Sequence, residues 1–360
     1  NSIDSTTLGS INAIHFINAD TGFVHSEQAV MRRTLNGGLT WDTMDIKFSG
    51  FIHDIDFASA NVGYAVGGAW FPFGTHYPFA IVKTVDGGLT WDSIYSGTNS
   101  GVFDFVEVVT DDILFATSHA GMVYTDDGGA TFDTIYIPGL PMGAEQYNRV
   151  RFVNPSKGYV LGKANFFVGN LTNLYETNDS GKTWQSIYVD SITNFTNDFV
   201  MTETGKGILV GNGSYVKRTI DTGATWQTIA LADTNLLLYK IEEVDGHLYA
   251  QGSDAADTTS GLYYSPDWGN TWQKQFSVKA KTGGIVDLSI PTSSVGYFVT
   301  WRNVYKNDQL ISLLERAMLT YDFELYPNPT KEDPFSYQVI YQYNSPLFRV
   351  SICYCYQFSQ

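Results

Sequence analysis

Short apolar runs, each entered through a turn containing Gly or Asp, recur along the whole chain. Gly63-Tyr64-Ala65-Val66-Gly67 and Gly158-Tyr159-Val160-Leu161-Gly162 are the clearest. Gly22-Phe23-Val24, Ile113-Leu114-Phe115-Ala116, Gly207-Ile208-Leu209-Val210, His247-Leu248-Tyr249-Ala250 and Val295-Gly296-Tyr297-Phe298-Val299 repeat the pattern. Runs this short, bounded by turn residues, read as buried strands rather than helices. Behind the first six comes an eight-residue polar block ending in an aromatic residue. The blocks start at Thr34, Thr84, Thr125, Thr177, Thr219 and Ser265, which lie 50, 41, 52, 42 and 46 residues apart. A fixed block at such a period marks a repeat architecture.

The block reads Ser/Thr-x-Asp-x-Gly-x-Thr-Trp, and its fixed positions are Asn36 and Trp41, Asp86 and Trp91, Asp127 and Phe132, Asp179 and Trp184, Asp221 and Trp226, Asp267 and Trp272. The acid accepts backbone N–H groups and closes an Asx-type turn. The Gly takes positive φ without steric cost, and the Thr starts a strand. The Trp carries a large apolar body to bury between layers. Asn36 can make the same turn but cannot act as the same acid, so these residues read as structural.

The unit is thus strand, turn, Gly-Tyr strand, loop, strand, block, strand. Four antiparallel strands per unit predict an all-β chain, a β-propeller whose radial repetition protects the sheet edges. Seven Gly-Tyr-type strands predict seven blades, six being the alternative. Residues 1–10 are expected to add an outer strand to the last blade, where Tyr305-Lys306-Asn307-Asp308 is at best a decayed block.

The six blocks resemble Asp-boxes, the bacterial neuraminidase repeats of sialidases, sortilin-type receptors, xyloglucanases and photosystem II assembly factors. With Gly-Tyr-x-x-Gly ahead of Asp-Gly-Gly-x-Thr-Trp, residues 11–305 are similar above all to the assembly-factor-like propellers. That resemblance implies a single seven-bladed propeller with a non-enzymatic binding habit. A sialidase would need an arginine cluster and an Arg-Ile-Pro motif, which the eight arginines do not supply. The xyloglucanases use two propellers with catalytic carboxylates between them. A glycoside hydrolase of sialidase or xyloglucanase type nevertheless stays as the alternative, since 37 acidic residues offer many carboxylate pairs. No catalytic residue, metal site or cofactor is assigned.

Net charge is −16, which argues against nucleic acid and anionic lipid. No apolar run is long enough to span a membrane. The chain begins at Asn1 without a basic-then-apolar leader, so an export signal is expected to have been removed or to lie outside it. The only cysteines, Cys353 and Cys355, are too few for a zinc site.

Three regions are expected: the propeller over 1–307, a linker or short helix over 308–321, and a C-terminal segment over 322–360. Leu310, Ile311, Leu314, Ala317 and Met318 recur at helical spacing in the second of these. In the third, Tyr326-Pro327-Asn328-Pro329 resembles the opening of the type A sorting domain of the Bacteroidetes type IX secretion system, although Ser351 to Gln360 departs from that family. The resemblance implies a secreted or cell-surface protein that meets the secretion machinery through its tail. Asp42, Asp92, Asp133 and Asp190 open triplets that also resemble O-glycosylation sites of that group.

Two places for a site follow from blade geometry. First and third turns share one face of a blade, while second turns and blade connections share the other, and loops on a rigid scaffold concentrate function. The longest second turn holds Trp70, Phe71, Phe73, His76 and Tyr77; other loops add Tyr147 and Arg149, then Phe166 and Phe167. Such aromatics with a few polar partners suit a polysaccharide or an extracellular protein. The innermost strands carry His15, Asp56, Glu107, Arg151 and Lys240 just before an apolar anchor, with Asp198 and either Asp287 or Ser289 as further candidates. These predict a polar ring around the central channel whose mixed signs favour mutual pairing. The predicted molecule is a monomeric, exported, non-enzymatic binding propeller.

Overall fold

Each Gly-Tyr-type run becomes the second strand of a four-stranded antiparallel sheet in the computed structural model. The structure describes residues 2–3 and 11–308 apart from 27–29, 49, 69–78, 98–101, 119–120, 136, 138–144, 165–171, 191–195, 232–234, 257–258 and 280–283, together with 310, 324–327, 337–342 and 351–356. The first blade runs Ile11–Phe16, Gly22–Ser26, Val30–Thr34 and Asp42–Met44. The second runs Phe51–Phe57, Gly63–Gly68, Phe79–Thr84 and Asp92–Gly97. Blades three to six repeat the order, and their innermost strands are Phe103–Val108, Glu145–Phe152, Thr196–Met201 and Leu236–Val244. The seventh has Ile285–Thr292, Val295–Thr300 and Val304–Asn307 from the chain's end and Ser2–Ile3 from its start. The innermost strands of blades seven and one pack together, so the sheets close into a ring of seven. The six-bladed alternative is thereby excluded.

The pairing of Ser2 with Tyr305 and Ile3 with Val304 explains the missing seventh block. The outer strand of that blade comes from the other end of the chain, so no third hairpin exists there. Tyr305-Lys306-Asn307-Asp308 is a strand end, not a decayed block.

The core lies between blades. Trp91 is fully buried and stands edge-on to Phe23 of the first blade and Phe57 of the second, whose rings stack 4.8 Å apart. Trp184 repeats this against Phe115 and Phe152. The second-strand tyrosines reach further. The hydroxyls of Tyr64, Tyr249 and Tyr297 donate to the carbonyls of Asp111, Ser293 and Ala19, in the first turns of the next blades.

Gln309–Gln360 forms a second unit. Its described strands, Glu324–Pro327, Tyr337–Gln342 and Ser351–Tyr356, make one antiparallel sheet. Pro327 ends an edge strand, where its missing N–H breaks no ladder. The segment expected to be linker or helix falls almost wholly outside the described residues.

Candidate functional site: the central cavity

The blocks come first, because their carboxylates are the most repeated in the chain. Asp86 accepts the Thr84 hydroxyl and the Thr90 N–H through Oδ1, at 2.8 and 2.9 Å, and the Thr90 hydroxyl through Oδ2 at 2.7 Å. Asp127, Asp179, Asp221 and Asp267 are held the same way. Asn36 keeps the ring by donating its Nδ2 to Thr40. The turn hydrogen bonds hold Asp86 and Asp221 down to about 2. Backbone N–H groups at Gly37, Gly87, Gly128, Ser180 and Thr222 donate to first-turn carbonyls of their own blades. The blocks and first turns therefore share one face.

Every innermost strand carries a β-bulge at the same point, before Ala13, Asp54, Phe105, Arg149, Asp198, Lys240 and Asp287. Those residues form one layer around the channel. Two residues on, a second layer holds His15, Asp56, Glu107, Arg151, Glu242 and Ser289. Members of both layers from six blades line a cavity of about 250 Å³.

Side chains of each layer also join the blades. Asp54 and Asp56 accept the N–H groups of Val106 and Val108 on the third blade, at 3.1 and 2.8 Å. Glu107 accepts Phe152 N–H at 2.7 Å, Asp198 accepts Ile241, Glu242 accepts Ile290, Asp287 accepts Ile14, and the Ser289 hydroxyl accepts Phe16. Innermost strands are sheet edges, and these acceptors satisfy donors that a buried edge would leave orphaned.

The cations are tied as firmly. Lys240 Nζ lies 2.6 Å from Asp287 and donates to the Leu288 carbonyl. Arg151 donates to Asp198 at 3.0 Å and to the Ile241 carbonyl. Arg149 lies over the Phe105 ring, 3.7 Å from its centroid, and within 3.8 Å of both Asp54 and Asp198. Burial, reinforced by neighbouring carboxylates, pushes Asp56 and Glu107 above the ordinary carboxyl range, and burial also raises Asp54 and Glu242. Asp198 is lowered, because Arg151 and Arg149 outweigh its burial. Burial and the Lys240 charge hold His15 neutral, down to about 4.

The structure brings His15, Asp56, Glu107, Arg151 and Lys240 to this one cavity. Lys240 stands one layer away from where the sequence pattern put it, and Glu242 is the true partner of the other four. Arg149, expected on a loop face, points into the channel instead. Trp70, Phe71, Phe73, His76, Tyr77, Phe166 and Phe167 lie outside the described residues, as does the side chain of Tyr147 on Glu145–Phe152. Asp54 and Glu242 go unnamed from the sequence and Arg149 is assigned there to a loop, although a signal exists: charged pairs two apart, Asp54/Asp56, Arg149/Arg151 and Lys240/Glu242, recur on innermost strands. Among the described residues no three His, Cys, Asp or Glu side chains gather to hold a metal ion, and no helix is long and apolar enough to cross a membrane.

Fold and cavity define a seven-bladed propeller with a charged, cross-braced channel. The family model of the photosynthesis system II assembly factor YCF48 matches residues 141–303, from the fourth blade into the seventh. Among solved structures, "YCF48 bound to D1 peptide" is similar with a TM-score of 0.63 at 16% identity, over 85% of this chain and 96% of that one. YCF48 from Cyanidioschyzon merolae gives 0.63 at 14%, over 86% and 98%. The GH74 enzyme of Niastella koreensis gives 0.65 at 14%, over 98% of this chain and 60% of that one. At such identities the likeness is one of fold. Among curated proteins none matches.

Proposed function

We propose that this chain is a binding propeller rather than an enzyme, gripping a segment of another protein at the central cavity and through the aromatic residues of its second-turn loops. The observation that carries this reading is the convergence of charged side chains from four blades on one cavity, while the block carboxylates are engaged in their own turns. The fold it shares with YCF48, which has been solved with a D1 peptide, supports a protein ligand over a polysaccharide. The turns are read as Asp-boxes, and the Tyr326-Pro327-Asn328-Pro329 stretch as the start of a sorting signal for export to the cell surface. Pull-downs from the native extracellular fraction, beside a glycan array, test the reading with Trp70→Ala, Tyr77→Ala and Arg149→Met variants. Loss of one captured protein in all three is expected; capture unchanged in all three would remove the proposed site.

One observation favours a glycoside hydrolase as the second reading: Asp56 and Glu107, both with raised pKa, face the same cavity. Release of reducing sugar from a polysaccharide panel, abolished by Glu107→Gln, would promote it.

A further inference from the structure

The charges lining the cavity are unevenly partnered. All three cations are engaged: Lys240 by Asp287, Arg151 by Asp198, Arg149 between Asp54 and Asp198. On the opposite arc, Asp56 accepts, among the described residues, only the N–H groups of Phe57 and Val108, and Glu107 only that of Phe152. Neither has an ion pair within 4 Å among the described residues. His15 occupies the equivalent position of the preceding blade; its ring stacks on Phe57 at 5.7 Å, and among the described residues its nitrogens take no hydrogen bond. Three consecutive blades thus turn hydrogen-bond acceptors of their own towards one side of the cavity, where the charges of Arg151, on Asp56 and Glu107, and of Lys240, on His15, reach them from other blades without an ion pair among the described residues.

We propose that the central cavity binds a primary ammonium group on a slender chain, seated against Asp56 and Glu107 with the His15 ring as a third acceptor. An ammonium ion offers three donors and a compact charge, which suits acceptors arriving from three strands. A guanidinium would need a planar fork of acceptors that backbone-tethered carboxylates do not present. The cavity, about 250 Å³, admits an alkyl chain but not a bulky head. Binding would draw protons off the two carboxyls, which burial and neighbouring carboxylates raise against the pull of backbone N–H donors and Arg151. The same chemistry can arrive as a free diamine or as a lysine side chain of a bound protein, and the second source rests on the binding reading above.

Calorimetric titration of the full chain with cadaverine, with acetyl-Gly-Lys-Gly-amide and with its norleucine counterpart distinguishes these sources. Amine binding with proton release near about pH 7.5, weakened roughly tenfold or more by Glu107→Gln, is expected. Binding of cadaverine points to a free amine, and binding of the lysine peptide alone points to a partner's side chain. Circular dichroism checks that the variant is folded. Equal response to lysine and norleucine peptides with none to cadaverine, or amine binding indifferent to both Glu107→Gln and Asp56→Asn, overturns the inference. Should the amines fail while Trp70→Ala still abolishes protein capture, the ammonium site falls and the binding reading stands.

Discussion

Gly87 and Gly88 show how finely one turn is specified. Both have positive φ, 71° and 80°. At the first of these positions the other blocks carry Gly37, Gly128, Ser180, Thr222 and Trp268, the last three in the left-handed region despite their side chains. At the second position every block keeps glycine: Gly38, Gly88, Gly129, Gly181, Gly223 and Gly269. The reason lies in the neighbouring blade. A Cβ on Gly88 would drive into the Phe23 ring, whereas one on Gly87 meets nothing nearer than the Ala60 carbonyl oxygen at 3.1 Å. Gly88→Ala should therefore cost about 2–4 kcal/mol, combining backbone strain with overpacking. Gly87→Asn should cost about 1 kcal/mol or less, because Asn tolerates the left-handed region. Urea unfolding of the two variants measures the gap; equal losses would mean that contact with the adjacent blade plays no part. The sequence pattern made the second glycine legible as a turn requirement. Its packing role was not legible, because Phe23 lies 65 positions earlier in the chain.

Strands and hairpins were the most readable elements, since apolar alternation and turn chemistry are local signals. Repetition of Gly-Tyr runs and blocks gave the blade, its strand order and the sharing of one face by first and third turns. What alternation could not reveal was phase. A bulge adds one residue to each innermost strand and leaves the alternation intact on either side. Leu236–Val244 thus offered Lys240 and Glu242 as equally good channel residues, and only the bulge before Lys240 decides which belongs with Glu107. The tyrosine of the Gly-Tyr run is a second case. It reads as a buried aromatic, yet Tyr64, with its side chain packed away, also ties its blade to the third through the Asp111 carbonyl at 2.7 Å. Tyr64→Phe keeps the packing and deletes only the hydroxyl, leaving Asp111's carbonyl to water at the exposed turn. A loss of about 1 kcal/mol is expected, against roughly 3–5 kcal/mol for Tyr64→Ala. Paired chemical melts separate the two effects, and a Tyr64→Phe loss as large as the alanine loss would deny that packing dominates.

Over the whole molecule, the ring sets the blades' carboxylates under opposite regimes, and stability should record both as pH changes. On the block face, hydrogen bonds from Thr84 and Thr90 hold Asp86 down to about 2. Its folded pKa lies below its unfolded value of about 4, so its contribution is present above about pH 4 and is lost as pH falls towards 2. Asp86→Asn, which copies the Asn36 turn, removes the charge and keeps the ring of hydrogen bonds. The wild type's advantage over this variant should accordingly vanish between about pH 4 and 2. In the channel the sign reverses. Burial first, and the Asp56 carboxylate second, raise Glu107 above its unfolded value. The folded state then holds a proton that the unfolded chain gives up, so stability falls as pH rises from about 4 through neutrality. Glu107→Gln carries no charge to bury and can still accept the Phe152 N–H through its amide oxygen. Its melting temperature relative to wild type should climb with pH across that range and level off on the acid side. A difference flat from mildly acid to mildly alkaline conditions would show that Glu107 meets enough water or positive charge in the channel to ionise freely. Only closure of the ring creates this second regime, for it is the meeting of innermost strands from separate blades that takes Asp56 and Glu107 out of solvent together.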